Sequence, residues 1–226
     1  LSKIFFFLSI VRSYIFCLKH LPFRQAKLCP ILIHWRTRIY VAEKANITVV
    51  NPQKYGVRIG IWGGSYSIAN RATTFQILDK ADICFEGLAT FSKGTHIVAR
   101  SLGHLIIGDK FFCNANCDIL CNKLIKFGNN NLLGWNITFL DSDGHDTFVL
   151  NEKQEQVKAI KIGNNVWIGA GVQVMPGVTI GNNVVIGGGS VVVKDIPSNS
   201  VAVGNPCRVI RKITEKDKIN PLEIIY

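Results

Sequence analysis

The sequence predicts an all-β fold: a parallel coil of short strands stacked on one another, preceded by a short helical segment. Three observations predict it. A six-residue pattern repeats almost without a break over residues 162–197. The glycines cluster in the C-terminal half, within an otherwise apolar stretch. The N-terminus carries an apolar run that differs in character from everything after it.

Position one of the repeat is aliphatic throughout: Ile162, Ile168, Val174, Ile180, Ile186 and Val192. Position two is glycine in four of the six units, and position five is Val166, Val172, Val178, Val184, Ser190 and Ile196. This is neither a helical period nor a plain strand alternation. Six residues fit a short strand followed by a corner. Glycine and the pairs Asn164-Asn165 and Asn182-Asn183 supply the positive φ values that tight corners require. One such unit buries nothing alone, so neighbours must stack and the chain must coil. An antiparallel sandwich would not hold this register so strictly.

The same frame runs upstream with more wear. Phe85, Phe91 and Ile97 are six apart, as are Ile107, Cys113 and Ile119, and Phe127, Leu133 and Phe139. Three sixes make one turn of a triangular coil, so about five coils fit between residues 85 and 197. Extra residues at 103–106 and 125–126 read as bulged corners, and 145–161 as an excursion loop. The expected organisation is an N-terminal helical and irregular segment at 1–84, packing on or capping the coil, the β-helix at 85–200, and a C-terminal tail at 201–226.

Composition narrows the function classes. The hydrophobic content of 48% and charged content of 18% exclude a disordered chain. The net charge of +11 over 226 residues favours an anionic partner. No basic run interleaves with aromatics, so nucleic acid is set aside. Seven cysteines without framework spacing point to a reduced, cytoplasmic protein. Cys113, Cys117 and Cys121 sit four apart and raise a metal site. Cys113 and Cys117 also fall on positions one and five of the repeat, where small apolar side chains are needed, and no metal is expected.

Ile4 to Val11 is apolar, but Arg12 interrupts it, and the run is too short to span a bilayer. The pattern resumes to Leu21 with Lys19 and His20. A helix lying on the inner membrane face, or one covering an end of the coil, accounts for it equally.

Val166-Trp167-Ile168-Gly169-Ala170, Pro176-Gly177-Val178-Thr179-Ile180-Gly181 and Gly204-Asn205-Pro206-Cys207-Arg208-Val209-Ile210 closely resemble the hexapeptide-repeat acyltransferases, among them the galactoside, maltose and nodulation acetyltransferases and the sugar O-acetyltransferases of capsule and lipopolysaccharide loci. The resemblance implies a left-handed parallel β-helix, a homotrimer with clefts between subunits, acetyl-CoA as acyl donor, and a small-molecule or lipid-linked glycan as acceptor in polysaccharide biosynthesis.

Acyl transfer from a thioester to a hydroxyl needs a base, and histidine suits it. Among His20, His34, His96, His104 and His145, only His145 stands at the mouth of the long loop, after Asn136-Ile137-Thr138, where the family carries its catalytic histidine. His96 and His104 read as surface residues at worn corners. Asp143 and Asp141 are candidates to orient His145. The resemblance also implies that Ala170 and Gly188 offer main-chain groups to the pantetheine arm, with Val193 and Lys194 further along it. Arg208 and Arg211 would meet CoA phosphates. Trp167 would line the cleft, and Asn114 would contact the sugar. A zinc enzyme of the γ-carbonic anhydrase kind lacks its usual histidine pair five apart here. A non-enzymatic scaffold and an amino-sugar acceptor remain as alternatives.

Overall fold

The computed structural model describes residues 2–61, 71–142, 144–145, 148–149, 152–153, 155–214 and 217. It is a three-sided parallel β-helix. Face I is a nine-stranded sheet, face II a seven-stranded sheet and face III a six-stranded sheet. Each strand pairs in parallel with the strand one full turn away, as Phe111–Cys113 does with Ala89–Phe91 and Asn131–Leu133. A two-stranded hairpin, Phe148–Val149 with Glu152–Lys153, stands apart from the coil.

The repeat maps onto this geometry position by position. Every position-one and position-five residue from Ile162 to Ile196 is buried, Ser190 included. The worn upstream frame is buried too, from Phe85 to Phe139. Inside it, Phe85, Phe91, Phe111, Phe127 and Phe139 form a continuous aromatic stack, with successive centroids 6.2, 5.2, 4.9 and 4.9 Å apart. Such edge and tilted contacts add to plain area burial.

The corner from face III to face I is held by polar side chains. Backbone N–H groups of Leu88, Asp109, Asn129 and Asn164 donate to side-chain oxygens of Asp109, Asn129, Asn164 and Asn182, one coil further on, at 2.7–2.8 Å. The next asparagines make a second ladder, Asn130 to Asn165 to Asn183 to Asn199, amide to amide at 2.6, 3.1 and 3.0 Å. All four have φ between 55° and 59°, a backbone asparagine tolerates better than most residues. Glycine is needed where coils touch at the corner from face I to face II: a Cβ on Gly169 would lie 2.5 Å from the Gly188 nitrogen.

The coil is longer than expected. It starts at Ile31–Ile33, not at residue 85, since Ile31–Ile33, Arg38–Val41 and Asn46–Val49 already pair with strands one turn on. Threonines hide these turns: Thr37, Thr73 and Thr95 occupy the inward corner position that Val172 fills downstream. The C-terminal part is not a tail from residue 201. Ser200–Val203 is the last parallel strand, and Arg208–Lys212 turns back antiparallel along it. The extra residues fall at 100–103 and 122–123, because 103–106 and 125–126 supply the inward residues Leu105 and Ile125 of regular strands. His96 and His104 are strand residues, not corner residues.

The helix α1 (Ser2–His20) caps the first coil. The Ser13 and Ser9 hydroxyls accept from the Ile33 and Trp35 N–H groups at 2.7 and 3.0 Å, so α1 satisfies donors that an edge strand would leave open. Arg12 donates to the Trp35 and Thr37 carbonyls. Phe16 and Cys17 are buried beneath. The opposite stripe, Ile4, Phe7, Leu8, Val11, Ile15 and Leu18, is exposed. No described helix is long and apolar enough to cross a membrane.

Replacing Phe127, the fully buried centre of the stack, with alanine should cost about 3–5 kcal/mol of unfolding free energy in denaturant titration.

Candidate active site

The excursion between faces II and III leaves the coil at Asp141, whose side chain is fully buried. Its Oδ1 accepts from the Asn122 N–H at 2.7 Å and the Asn122 amide at 3.1 Å. Its Oδ2 accepts from the Lys123 and Leu124 N–H groups at 2.8 and 2.9 Å. At this corner the next coil supplies no backbone carbonyls, so one carboxylate satisfies three backbone donors in their place. The Asp141 carbonyl accepts from Lys158 N–H at 2.8 Å, and Ser142 bridges Val157, closing the neck of the loop. Lys123 Nζ reaches Glu155 at 2.6 Å, and its hydrogen bond, and then its charge, hold that exposed carboxyl below its usual range.

His145 lies beyond the neck and is exposed, after Gly144 at φ 77°. Asp143 lies outside the described residues. Asp141 is not the orienting carboxylate: both its oxygens are committed to the corner below.

The corner from face I to face II stacks Lys93, Ala115, Trp135, Ala170 and Gly188 as successive rungs. The Ala170 carbonyl accepts from Gly189 N–H at 2.8 Å, and both Ala170 and Gly188 are exposed. A carbonyl has a second lone pair, so this ridge can still accept from a bound amide. Trp167 is half-exposed on face I. Asn114 sits on the same corner with its amide donating to the Leu133 carbonyl at 2.9 Å. Val193 and Lys194 are exposed, but on the corner from face II to face III. Arg208 and Arg211 project from the closing strand. Arg211 already holds Asp217 at 3.0 Å and, with Thr214, pushes that carboxyl down to about 2.

Trp167, Arg208 and Arg211 thus lie on face I and its closing strand, and six other residues expected at the site lie on two ridges of one chain. Ala170, Gly188 and Asn114 are on one corner; His145, Val193 and Lys194 are on the next, with face II between them.

The other candidates resolve differently. Cys113, Cys117 and Cys121 are free and buried. Burial raises the Cys113 thiol, and burial with the Asp141 charge pushes Cys121 up to about 12. Among the described residues no group of three or more His, Cys, Asp or Glu could hold a metal ion. His96 faces Asp118 at 3.2 Å, and His104 faces Asp82 at 2.9 Å. Burial first, and then Arg71, lowers the His96 pKa. A cavity of about 520 Å³ on face III lies beside the loop neck, lined by Asp82, Cys84, His104, Ile106, Lys123 and Ala159 among others. Sequence reasoning missed Asp141's role and a cationic cavity on the corner from face I to face II, lined by His34, Arg36, Arg71 and Lys93.

Residues 159–194 match the bacterial transferase hexapeptide family (six repeats). The chain is 48% identical over 116 residues to YJL218W of Saccharomyces cerevisiae, half of this chain and 59% of that protein. It is 48% identical over 114 residues to galactoside O-acetyltransferase of Escherichia coli, half of this chain and 56% of the relative. The chain therefore spans somewhat over half the length of the curated relatives it matches. Among solved structures, a galactoside acetyltransferase in complex with coenzyme A is 37% identical, with a TM-score of 0.45, covering 62% of this chain and 66% of the other. A maltose O-acetyltransferase from Clostridium difficile 630 is 27% identical, with a TM-score of 0.40, covering 91% of this chain and 89% of the other.

Asp141→Asn should remove about 1.5–3 kcal/mol of stability, because an amide turns an N–H toward backbone donors; chemical denaturation measures it. The three cysteines should react with a thiol reagent at pH 8 only after unfolding, since all three are buried and the raised pKa values of Cys113 and Cys121 leave those two little thiolate.

Proposed function

We propose that the protein moves an acetyl group from acetyl-CoA to a hydroxyl of a sugar or surface glycan, with His145 as general base. The observation that carries this reading is the long excursion in an otherwise regular array: a loop clamped at Asp141 that puts a histidine into solvent. The similarity to sugar acetyltransferases supports it. In this mechanism a neutral His145 imidazole nitrogen takes the acceptor O–H proton as that oxygen attacks the thioester carbonyl carbon. The tetrahedral intermediate collapses, the C–S bond breaks, and the leaving CoA thiolate takes the proton from the imidazolium. Backbone groups of Ala170 and Gly188 hold the pantetheine arm, with Trp167 beside it and Val193 and Lys194 further along. Arg208 and Arg211 receive CoA phosphates, Asn114 meets the acceptor, and Asp143 orients His145.

The two-ridge arrangement favours an assembly in which the histidine corner of one copy meets the Ala170 ridge of another. A homotrimer of left-handed coils, as the resemblance implies, has that property.

The exposed stripe of α1 fits a peripheral contact with an anionic membrane. Ile4, Phe7 and Ile15 of α1, and Phe23 just beyond it, are each at least 60% exposed, and Lys3, Lys19, Arg24 and Lys27 flank them. Apolar side chains inserted at the headgroup boundary, with cations beside them, are the signature of such helices.

His145→Ala should lower turnover about 10²–10⁴-fold in an assay of thiol release from acetyl-CoA with sugar acceptors; an unchanged rate removes His145 from the mechanism. Phe7→Glu with Ile15→Glu, two changes on the exposed stripe, should abolish flotation with phosphatidylglycerol vesicles. Equal flotation of the variant would end the membrane reading.

A further inference from the structure

The cationic cavity on the corner from face I to face II has a volume of about 380 Å³ and is lined by His34, Arg36, Gly60, Arg71, Thr73 and Lys93, together with Ala72. Four of these seven residues carry or can carry positive charge, and none of the described lining residues is a carboxylate. They come from three successive coils: His34 and Arg36 from the first, Arg71 from the second, Lys93 from the third. Stacking, not sequence proximity, has gathered them.

Arg71 is held rigidly. Its Nε donates to the Gly94 carbonyl at 2.8 Å, and Nη2 donates to the Asn116 carbonyl at 2.6 Å and pairs with Asp118 at 3.0 Å. Asp118, outside the cavity lining, is shared between Arg71 and His96. Arg12 of α1 adds a further cation behind the corner through its bonds to Trp35 and Thr37. Burial first, and then the charges of Lys93, Arg36 and Arg12, hold the His34 pKa below its usual value. Two buried hydroxyl oxygens on this corner, Thr37 Oγ1 and Ser92 Oγ, have no hydrogen-bond partner among the described residues. A Cβ on Gly60 would come within 2.8 Å of Thr37 Oγ1, so glycine is needed where the chain passes this corner.

We propose that this cavity binds a phosphate group carried by the acyl acceptor. Guanidinium and ammonium groups converging from three coils match the several oxygens of a phosphate, and an anion relieves the repulsion among them. The donor's phosphates do not reach it. Six strand-to-strand steps separate Ala89–Phe91 from the closing strand that bears Arg208, about 29 Å along the coil axis. The cavity lies on the same corner as Asn114, two coils nearer α1 at its Gly60 rung. The acceptor class is therefore a phosphate-bearing glycan, either a soluble sugar phosphate or one linked to lipid at the surface that α1 faces. The acceptor's role rests on the acyl-transfer reading; the anion site itself does not.

Isothermal titration of the full chain with N-acetylglucosamine 1-phosphate and with N-acetylglucosamine, at low salt, tests the site. Arg36→Ala with Lys93→Ala serves as the variant, since among the described residues neither side chain makes a hydrogen bond that holds the coil; its unfolding midpoint and CoA affinity are measured alongside. Binding of the phosphate but not the plain sugar, weakened about tenfold or more in the variant, supports the site with a soluble phosphate source. Loss of phosphatidylglycerol vesicle binding in the variant, without sugar phosphate binding by either protein, supports the phosphate site with a lipid headgroup as its source. Equal behaviour of wild type and variant toward both probes overturns it. Failure to bind CoA would instead strike the acyl-transfer reading and leave the phosphate result standing.

Discussion

Everything in this fold depends on each coil landing one strand spacing above the last, about 4.8 Å, without slipping sideways. Backbone ladders set the spacing, but a parallel ladder alone permits a shift of register along the strand. The asparagine corners remove that freedom. Side-chain oxygens of Asn129, Asn164 and Asn182 take backbone donors one coil below, so a slipped coil would lose bonds at both corner positions. The aromatic stack inside adds packing energy and little directional preference. The corners choose the register, and the interior rewards it.

That constraint makes the excursion informative. A coil that leaves its stack abandons the donors of the coil beneath, and buried donors without acceptors are costly. The chain meets the problem with one carboxylate at the exit point. Asp141 keeps the coil below closed while releasing the residues after it from the register. A loop can then carry a histidine without loosening the strands on either side, and its neck, tied through Lys158 and Val157, gives it a fixed base.

The parts of this structure legible in the sequence are those where one residue type repeats at one spacing. Ile162 to Ile196 announce their burial because aliphatics recur at positions one and five. The first coils escape notice because Thr37, Thr73 and Thr95 stand where the eye seeks an aliphatic, and because four-residue strands such as Arg38–Val41 add inward residues that break the count of six. The excursion that carries His145 was legible as a break in the pattern. The service Asp141 performs was not, since its partners Asn122 to Leu124 lie 17 to 19 residues away and meet it only when coils stack. The cationic cavity was hidden for the same reason: His34 and Lys93 are neighbours in space by winding alone.

The two ends of face I are closed by different devices. At one end α1 places serine hydroxyls over the first strand edge; at the other, Arg208–Lys212 folds back across the last parallel strand. A solenoid with open ends is a template that grows by end-to-end addition, and a filament is its natural fate. With its first strand on face I under a helix and its last paired to a reversed one, the described chain carries a stop at both ends of its widest wall, so the repetition that builds the coil does not simply run on along that face.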